Sequence, residues 1–232
     1  MKVELRVRFR RGAAVALCGP IVPAVGLLSL LSDDPVAFFL LAAALVGAIG
    51  LHEYAHALAA DLQGDRLPRA MGRLTPNPIK HLDPLGTICI LLVGFGWGKP
   101  VEFRPQALSS KRFGAAAVAL AGPTMNLLLA AIGAFGFVTF ANIDIGSPLT
   151  RFFSYFTGIN VLLAVFNLVP LPPLDGSRLL TIFLPPHKQK VIFFLDRYGL
   201  LILLALVFFG GTELLRPVVL GVRDFLVRIA GG

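Results

Sequence analysis

The sequence predicts an all-α polytopic membrane protein of five to six transmembrane helices, with a small β element at the cytosolic membrane surface. Of its 232 residues, 56% are hydrophobic, and the mean hydropathy is +0.80. Soluble domains are about 45–50% apolar, so the excess indicates helices in lipid. Two further observations agree with this class. Long apolar runs alternate with polar stretches, and the basic residues are distributed unevenly along the chain.

The basic residues orient the chain in the membrane. The net charge of +8 could also indicate a protein that binds nucleic acid. However, five basic residues precede the first apolar run and eight lie between residues 66 and 112, whereas almost none flank the opposite loops. This asymmetry follows the positive-inside rule and is not a continuous basic groove. We therefore expect a protein of the cell membrane, with the lipid bilayer around it, the N-terminus in the cytosol and no nucleic-acid partner.

The N-terminal part predicts a strand followed by two spans. Residues 1–12 are basic, and KVELRVRFR (residues 2–10) alternates charged with apolar side chains, which is the period of a strand. Residues 13–63 contain the first two spans (residues 13–31 and 35–62). His52 lies about 25 Å along the second span. Because that helix runs from the outer to the inner face, we expect His52 on the cytosolic side.

Residues 64–112 predict a cytosolic insert rather than another span, because they are basic and rich in proline and glycine. The apolar patch from Leu85 to Trp97 is too short to cross a bilayer, so it predicts a re-entrant or interfacial hairpin packed against protein. The segment KPVEF (residues 99–103) predicts a second strand. Together with the N-terminal strand, it indicates a small sheet at the membrane surface.

The remaining residues predict two more spans and a C-terminal region. Residues 113–184 contain a third span at 113–140 and a fourth that starts near Phe152 and breaks at FNLVPLPPLDGSRLL. The prolines of this break deny the helix its backbone bonds, so the chain opens there. Residues 185–232 predict an interfacial helix, a last span and an amphipathic tail (residues 187–197, 198–209 and 213–229).

Two histidines and a glutamate interrupt the second apolar span, in the sequence HEYAH. Residues i and i+4 of a helix project within about 40° of each other, so His52 and His56 can bind one metal ion. Glu53 is offset by about 100° and can reach a water on that ion without being a ligand. Zinc on two histidines retains open positions and lowers the pKa of bound water, whose proton the carboxylate takes. The pattern predicts a zinc hydrolase; a polar helix face that lines a water-filled or substrate pathway is the alternative.

A third ligand must be an acidic or imidazole group at the same depth, and the candidates are Asp61, His81, Asp83, Asp175 and His187. Asp61 is rotated by about 140° from His56 and cannot turn back onto the ion. Asp175 follows the proline-rich break on the cytosolic side and precedes a glycine, which tolerates a tight turn. Depth and chemistry favour Asp175, which could also cap the next helix.

HEYAH and NLVPLPPLDG together resemble the site-2 protease family of intramembrane zinc metalloproteases, in the compact form without a PDZ or CBS domain. The family pattern N-x-x-P-x-P-x-L-D-G is met by Asn167, Pro170, Pro172, Leu174, Asp175 and Gly176. The segment GRLTPNPIKHLDPLGT is also similar to compact members. The resemblance covers essentially the whole chain, residues 1–232, as a single membrane-embedded peptidase domain.

The resemblance implies one zinc ion per chain, held by His52, His56 and Asp175, with Glu53 as the general base. It also implies a catalytic core of three helices, and cleavage of transmembrane segments of single-span membrane proteins in regulated intramembrane proteolysis. A divalent metal-ion transporter and a non-catalytic metal-binding scaffold are the alternative functions. A transporter usually has inverted repeats with paired broken helices, and the sequence has one clear broken span.

Three further polar residues are candidates for substrate binding. Asn126 and Asn167 are amides inside apolar spans, where they either bridge helices or hold the substrate backbone, as the resemblance implies for Asn167. His81 lies in the insert, where it could donate to the oxyanion or be a solvated loop residue. The predicted sheet offers an edge to which an unwound substrate segment could add as a strand.

Overall fold

The computed structural model describes residues 27–94, 96–183 and 189–232. The predicted strand at 2–10, nearly all of the predicted first span at 13–31, and His187 lie outside these residues. Within the described residues there are nine α-helices and no strand, so the all-α prediction is confirmed for this part of the chain.

Three long helices form the centre of the bundle and match three of the predicted spans. They are α2 (Pro35–Leu62), α5 (Lys111–Ala141) and α6 (Pro148–Asn167), and each packs against the other two. All three are long and apolar enough to cross a membrane. A short helix, α1 (Ser29–Asp33), precedes them. The described residues thus contain three candidate spans, and the predicted total of five to six is not confirmed.

Polar caps set the starts of α2 and α6. Asp34 accepts a hydrogen bond from the N–H of Ala37 (3.0 Å), and Ser147 accepts one from the N–H of Thr150 (3.2 Å). A proline follows each cap, at a position where its missing N–H leaves no bond unmade. The Arg151 guanidinium also pairs with the Asp34 carboxylate. These contacts join the two helix starts and fix how α2 and α6 align.

Small residues bring α5 close to α6. A Cβ atom added to Gly133 would lie 2.6 Å from Oγ1 of Thr157, and one added to Gly136 would lie 2.6 Å from Cδ1 of Phe153. Ala134, between the two glycines, is fully buried. In lipid, helices are held together by such close van der Waals contact rather than by the hydrophobic effect. The short distance between α5 and α6 also lets polar side chains of both helices meet in the interior.

The insert between α2 and α5 contains a hairpin that packs against the bundle. Helix α4 (Pro84–Val93) is too short to span a membrane and ends at Gly94, whose φ of 74° is left-handed. The chain then turns back so closely that a Cβ on Gly86 would lie 3.0 Å from the backbone nitrogen of Trp97. Leu91 packs against a buried cluster of α2 and α6 side chains. One side of the apolar patch therefore packs against the bundle, whereas the side chains of Leu85, Ile88, Leu92 and Val93 are exposed.

The strand predicted for residues 99–103 is not formed. Near it, one isolated antiparallel bridge is the whole sheet content of the described residues. A strand ladder needs free backbone groups, and here they bond to side chains: the Val101 N–H donates to Glu53, and two carbonyls of the segment accept from Arg73. The small β element is thus not confirmed. The rest of the insert contains one short helix and two 3-10 turns (α3, Leu67–Ala70; residues 78–80 and 105–107).

Two buried aspartates anchor the insert at the end of α2. Asp65 is fully buried, and its carboxylate accepts hydrogen bonds from the backbone N–H and the guanidinium of Arg104 (2.5 and 2.9 Å). Asp61 is 5% exposed and pairs with Arg66 and Arg69 (2.9 and 2.7 Å). The first and last parts of the insert are therefore joined at one place, and the residues between them form a closed loop.

Three helices complete the C-terminal part. Helix α7 (Gly176–Phe183) follows the proline-rich turn, α8 (Gln189–Phe208) combines the predicted interfacial helix and last span, and α9 (Arg216–Ile229) packs on α5 and α6. The apolar part of α8, Arg197–Val207, is shorter than a candidate span. Val219 of α9 is buried against α5 and α6. The predicted tail is therefore part of the packed bundle.

The Asp65 carboxylate is expected to make the fold sensitive to acid. Burial raises the pKa of this carboxyl, but the N–H groups of Arg104 and Leu67 and the Arg104 guanidinium outweigh it and hold the pKa below its usual value of 3.8. Such a group stabilises the fold fully above about pH 4 and loses its contribution as the pH falls through the lower folded-state pKa. We expect Asp65→Asn to reduce the free energy of unfolding by about 1–3 kcal/mol at pH 7.

Unfolding of the purified protein in detergent, measured at pH 7 and at a series of acidic pH values, checks this expectation. The difference between wild type and Asp65→Asn should shrink as the pH falls, because the wild-type carboxyl becomes protonated. Asp33→Asn, which changes an exposed carboxylate, is the control and should follow wild type. A constant difference at all pH values would contradict the role assigned to the charge.

Candidate metal centre

His52 and His56 lie on the face of α2 that points into the bundle. Both residues are 7% exposed, and their Nε2 atoms are 3.0 Å apart. The i, i+4 spacing puts both rings on one face of the helix, as the sequence predicts. The ring planes are nearly perpendicular, at 86°, while the two Nε2 atoms converge. The helix therefore presents two imidazole nitrogens to one point.

Hydrogen bonds at the far side of each ring fix the position of its proton. Nδ1 of His56 is 2.7 Å from the carbonyl oxygen of Val118, which can only accept, so this nitrogen carries the hydrogen. Nδ1 of His52 is 2.5 Å from Oδ1 of Asn126. In a neutral imidazole the other nitrogen then has a lone pair. The two Nε2 atoms therefore face the same point as electron-pair donors.

The Asp175 carboxylate reaches this point from the turn after α6. Its Oδ2 atom lies 3.2 Å from Nε2 of both His52 and His56. This oxygen is buried and has no hydrogen-bond partner among the described residues. The ligand atoms of the three residues lie within 4.8 Å of one another and could hold a metal ion. The structure thus brings together the three residues that the sequence predicts as ligands.

The group fits a divalent cation. Two nitrogen lone pairs and a carboxylate oxygen lie 3.0–3.2 Å apart, and acceptors this close repel one another unless a positive charge lies between them. Tetrahedral ligands about 2.0–2.1 Å from zinc are roughly 3.3 Å from each other, close to the spacing here. Two histidines and a carboxylate are also a ligand set that catalytic zinc accepts, with one position left open.

Gly122 of α5 leaves room for the imidazole rings. A Cβ atom added there would lie 2.5 Å from Cε1 of His52 and 2.6 Å from Cε1 of His56. Contacts of a Cβ atom essentially never fall below 3.0 Å. Any side chain at this position would push the rings away from α5, so the convergence of the two Nε2 atoms requires glycine.

Close packing holds the turn that carries Asp175. A Cβ on Gly176 would lie 2.5 Å from the carbonyl carbon of Leu168, so glycine is needed for α7 to begin against the end of α6. Three leucines form a buried cluster between the turn and α8 (Leu171, Leu174 and Leu203). The prolines keep this part of the chain out of the helix, and the apolar cluster then fixes where the carboxylate lies.

Glu53 follows a ligand in sequence, but its carboxylate contacts the insert. The residue is half-buried and accepts a hydrogen bond from the backbone N–H of Val101 (3.1 Å). A Cβ on Gly98 would lie 3.6 Å from its Oε1 atom, so the same segment passes alongside it. Glu53 is not one of the three grouped ligands. Its predicted role as a general base stays a prediction.

The other predicted site residues have different surroundings. Asn126 is fully buried, and its amide bonds to the far side of His52. Asn167 is half-buried and donates to a carbonyl of its own helix (3.0 Å). His81 is fully buried and is therefore not a solvated loop residue; its Nε2 bonds to the Thr75 carbonyl (2.8 Å), and its Nδ1 has no partner among the described residues. Roles in substrate binding stay predictions for all three.

Two residues of the site do not follow from the sequence analysis. Asn160 of α6 accepts a hydrogen bond from Nδ2 of Asn126 (2.8 Å). A signal for it exists, because it is an amide within an apolar span, as Asn126 and Asn167 are. For Gly122, the sequence AGP at residues 121–123 indicates close helix packing only. Gly122 contacts two imidazoles that are far from it in the sequence, so no local sequence pattern indicates this contact.

Comparison with known proteins places the chain in a family. The family described as "Peptidase family M50" matches residues 40–150 and, in a second segment, 139–207. The putative zinc metalloprotease YwhC of Bacillus subtilis (strain 168) is 38% identical over 194 residues, which cover 80% of this chain and 88% of that protein. The chain belongs to peptidase family M50. The residues matched to M50 include both histidines of α2 and Asp175.

Relatives of lower identity also have names that indicate zinc metalloproteases. The putative zinc metalloprotease Rip2 of Mycolicibacterium smegmatis is 31% identical over 180 residues, which cover 73% of this chain and 66% of that protein. Rip2 of Mycobacterium tuberculosis (strain ATCC 25618 / H37Rv) is 29% identical over 175 residues, with the same two coverages. No solved structure matches the chain at a significant level.

Substitution of Gly122 is expected to damage the metal centre of this M50 peptidase. The added methyl group of Gly122→Ala would displace the two imidazoles, so we expect Zn²⁺ to bind at least about 10-fold more weakly. Competition with a chromophoric chelator measures this affinity in the detergent-solubilised protein. Gly47→Ala is the control, because a Cβ there meets its nearest atom at 3.9 Å, an ordinary contact distance. Equal Zn²⁺ affinity in both variants would contradict the steric role of Gly122.

Proposed function

We propose that this M50 peptidase is a zinc-dependent intramembrane endopeptidase that cleaves transmembrane segments of single-span, membrane-anchored proteins. The observation that carries the proposal is the meeting of His52, His56 and Asp175 among helices long and apolar enough to cross a membrane. Ionisable groups at such depth are costly and usually functional. The family match and the relatives named as putative zinc metalloproteases support the reaction and the metal.

The side chains of the site have separate tasks in the proposed reaction. Zinc held by His52, His56 and Asp175 would polarise the scissile carbonyl and make water more acidic. Glu53 takes the proton of the attacking water and then gives it to the leaving amine. The Nδ1 hydrogens of the two histidines are engaged elsewhere, so each neutral ring would present the lone pair of Nε2 to the ion. The helices around them exclude bulk water, which strengthens every charge interaction in the site.

The orientation of the chain follows from its charges. The N-terminus and the active site are proposed to face the cytosol, in a multi-pass protein of the cell membrane with five to six spans. The basic insert supports this, since it is joined to the end of α2 that lies nearest to the histidines. Cleavage at this depth would release the cytosolic part of a membrane-anchored substrate, which is the outcome of regulated intramembrane proteolysis.

The substrate must be unwound before it is cut, because water cannot reach a peptide bond inside an intact helix. Residues 99–103 are proposed to receive the unwound segment by strand addition. Their position supports this, since the Val101 N–H contacts Glu53. Contacts with His81 and Arg73 hold the start of the segment, so that its later backbone groups could pair with a second chain.

Replacement of the proposed general base should separate catalysis from metal binding. Glu53→Gln keeps the size of the side chain and removes its ability to take a proton, so we expect about 10²–10⁴-fold slower cleavage with one Zn²⁺ per chain retained. The measurement uses the protein in lipid vesicles together with a single-span substrate, and the metal content is determined on the same samples.

Glu213→Gln is the matched control for this experiment, because it neutralises an exposed glutamate outside the insert. Cleavage by this control should equal that of wild type. Movement of Zn²⁺ across the vesicle membrane without cleavage would favour a transporter, and stoichiometric metal with neither activity would favour a scaffold. Either result, or unimpaired cleavage by Glu53→Gln, would refute the proposed function.

The strand-addition proposal predicts a specific effect of proline at residue 102. Glu102→Pro removes a backbone N–H from the segment without breaking a hydrogen bond described for it, so we expect about 10-fold slower cleavage, equivalent to one or two lost backbone bonds. Glu102→Ala retains the N–H and should cleave at the wild-type rate. Cleavage rates in the same vesicle assay decide the matter: equal rates for proline and alanine would count against pairing at this segment.

A further inference from the structure

A chain of three polar side chains runs through the apolar interior from the metal centre to α6. Nδ1 of His52 bonds to Oδ1 of Asn126 (2.5 Å), and Nδ2 of Asn126 donates to Oδ1 of Asn160 (2.8 Å). Both amides are fully buried, at 0% exposure. The chain therefore connects one residue from each of α2, α5 and α6, the three helices that pack around the site.

The directions of the hydrogen bonds in this chain are fixed by backbone carbonyls. Nδ2 of Asn160 donates to the Phe156 carbonyl (2.8 Å), which orients its amide with Oδ1 toward Asn126. Nδ2 of Asn126 is in turn the atom near Asn160 and the Ala48 carbonyl, which turns its Oδ1 toward His52. A carbonyl can only accept. His52 must therefore donate from Nδ1, and its Nε2 keeps the lone pair that faces the metal centre.

The two histidines are held in different ways. His56 bonds to a backbone carbonyl, whose position is set by helix α5 itself. His52 bonds to a side chain, which can rotate unless something else holds it. The contact of Asn126 with the Ala48 carbonyl is long, at 3.4 Å, whereas its contact with Asn160 is 2.8 Å. Asn160 is therefore the principal anchor of the amide that orients His52.

We propose that Asn160 is a positioning residue of the metal centre: it holds Asn126 so that Oδ1 of Asn126 selects the His52 tautomer with Nε2 free to bind the ion. The role rests on the proposed zinc site. Asn126, for which the sequence leaves open helix bridging or substrate binding, is then the link between Asn160 and the ligand. Loss of such supporting hydrogen bonds typically weakens metal binding about 10–100-fold.

Variants of Asn160 test the proposal in the full-length protein in detergent. Asn160→Ala removes the anchor and should weaken Zn²⁺ binding by about 10-fold or more. Asn160→Asp keeps an oxygen for Nδ2 of Asn126 and should restore most of that affinity. Chelator competition gives the affinities. Visible absorption of the Co²⁺-loaded protein reports the ligand geometry and should change in Asn160→Ala but return toward wild type in Asn160→Asp.

Thr157→Val is the matched control. Thr157 lies one turn from Asn160 on the same helix and is 2% exposed. Within the described part of the chain, its hydroxyl bonds only to the Phe153 carbonyl of its own helix. The Thr157→Val variant should be less stable than wild type but should bind Zn²⁺ with the same affinity. Should Asn160→Ala not fold, Asn160→Ser, whose hydroxyl is too short to reach Asn126, takes its place in the comparison with Asn160→Asp.

The outcomes separate this inference from the proposed function. If the wild-type protein binds no stoichiometric Zn²⁺, the proposed function fails and the inference fails with it. If wild type binds Zn²⁺ and Asn160→Ala binds it equally well, or if alanine and aspartate weaken binding equally, only the positioning role is overturned. Weakened binding in Asn160→Ala, with a loss of stability in the metal-free protein no larger than that of Thr157→Val, supports it.

Discussion

Three electron-pair donors that converge inside an apolar bundle are the constraint on which the rest of the structure depends. Nε2 of His52, Nε2 of His56 and Oδ2 of Asp175 lie 3.0–3.2 Å apart. Without a cation they repel one another, and each has given up hydration to be there. The chain holds them together with a glycine packed against the rings and a broken helix that turns a carboxylate inward.

In this site, the orientation of the electron-pair donors matters as much as the distances between them. An imidazole can present either a proton or a lone pair from Nε2, and only the lone pair binds a metal. The protein makes the choice at the opposite nitrogen, through a backbone carbonyl for one histidine and through a chain of two amides for the other. Buried amides are costly when unsatisfied. The chain of amides is therefore acceptable in lipid because each member bonds to the next and ends on helix carbonyls.

The sequence predicts the parts of the fold that depend on local pattern. Spans 35–62 and 113–140 match α2 and α5 because length and hydropathy decide them, and the ligand triad follows from helical spacing and a proline break. The strand predicted at residues 99–103 is not formed, because its backbone groups bond to Glu53 and Arg73. No local sequence pattern indicates these partners. The role of Asn160 depends equally on contacts between helices.

The three grouped ligands and Glu53, the proposed general base, are held by different parts of the chain. The histidines are oriented by α5 and α6, and Asp175 is held by a turn packed on α8. Glu53, although adjacent to His52 in sequence, is held by the insert through Val101. Helix α2 carries the two histidines and Glu53 on different faces. The insert can therefore change the surroundings of Glu53 without breaking a hydrogen bond that orients the histidines. In the proposed reaction, a substrate that approaches along the insert would therefore meet the Glu53 carboxylate, while the helices behind it keep the ligand geometry fixed.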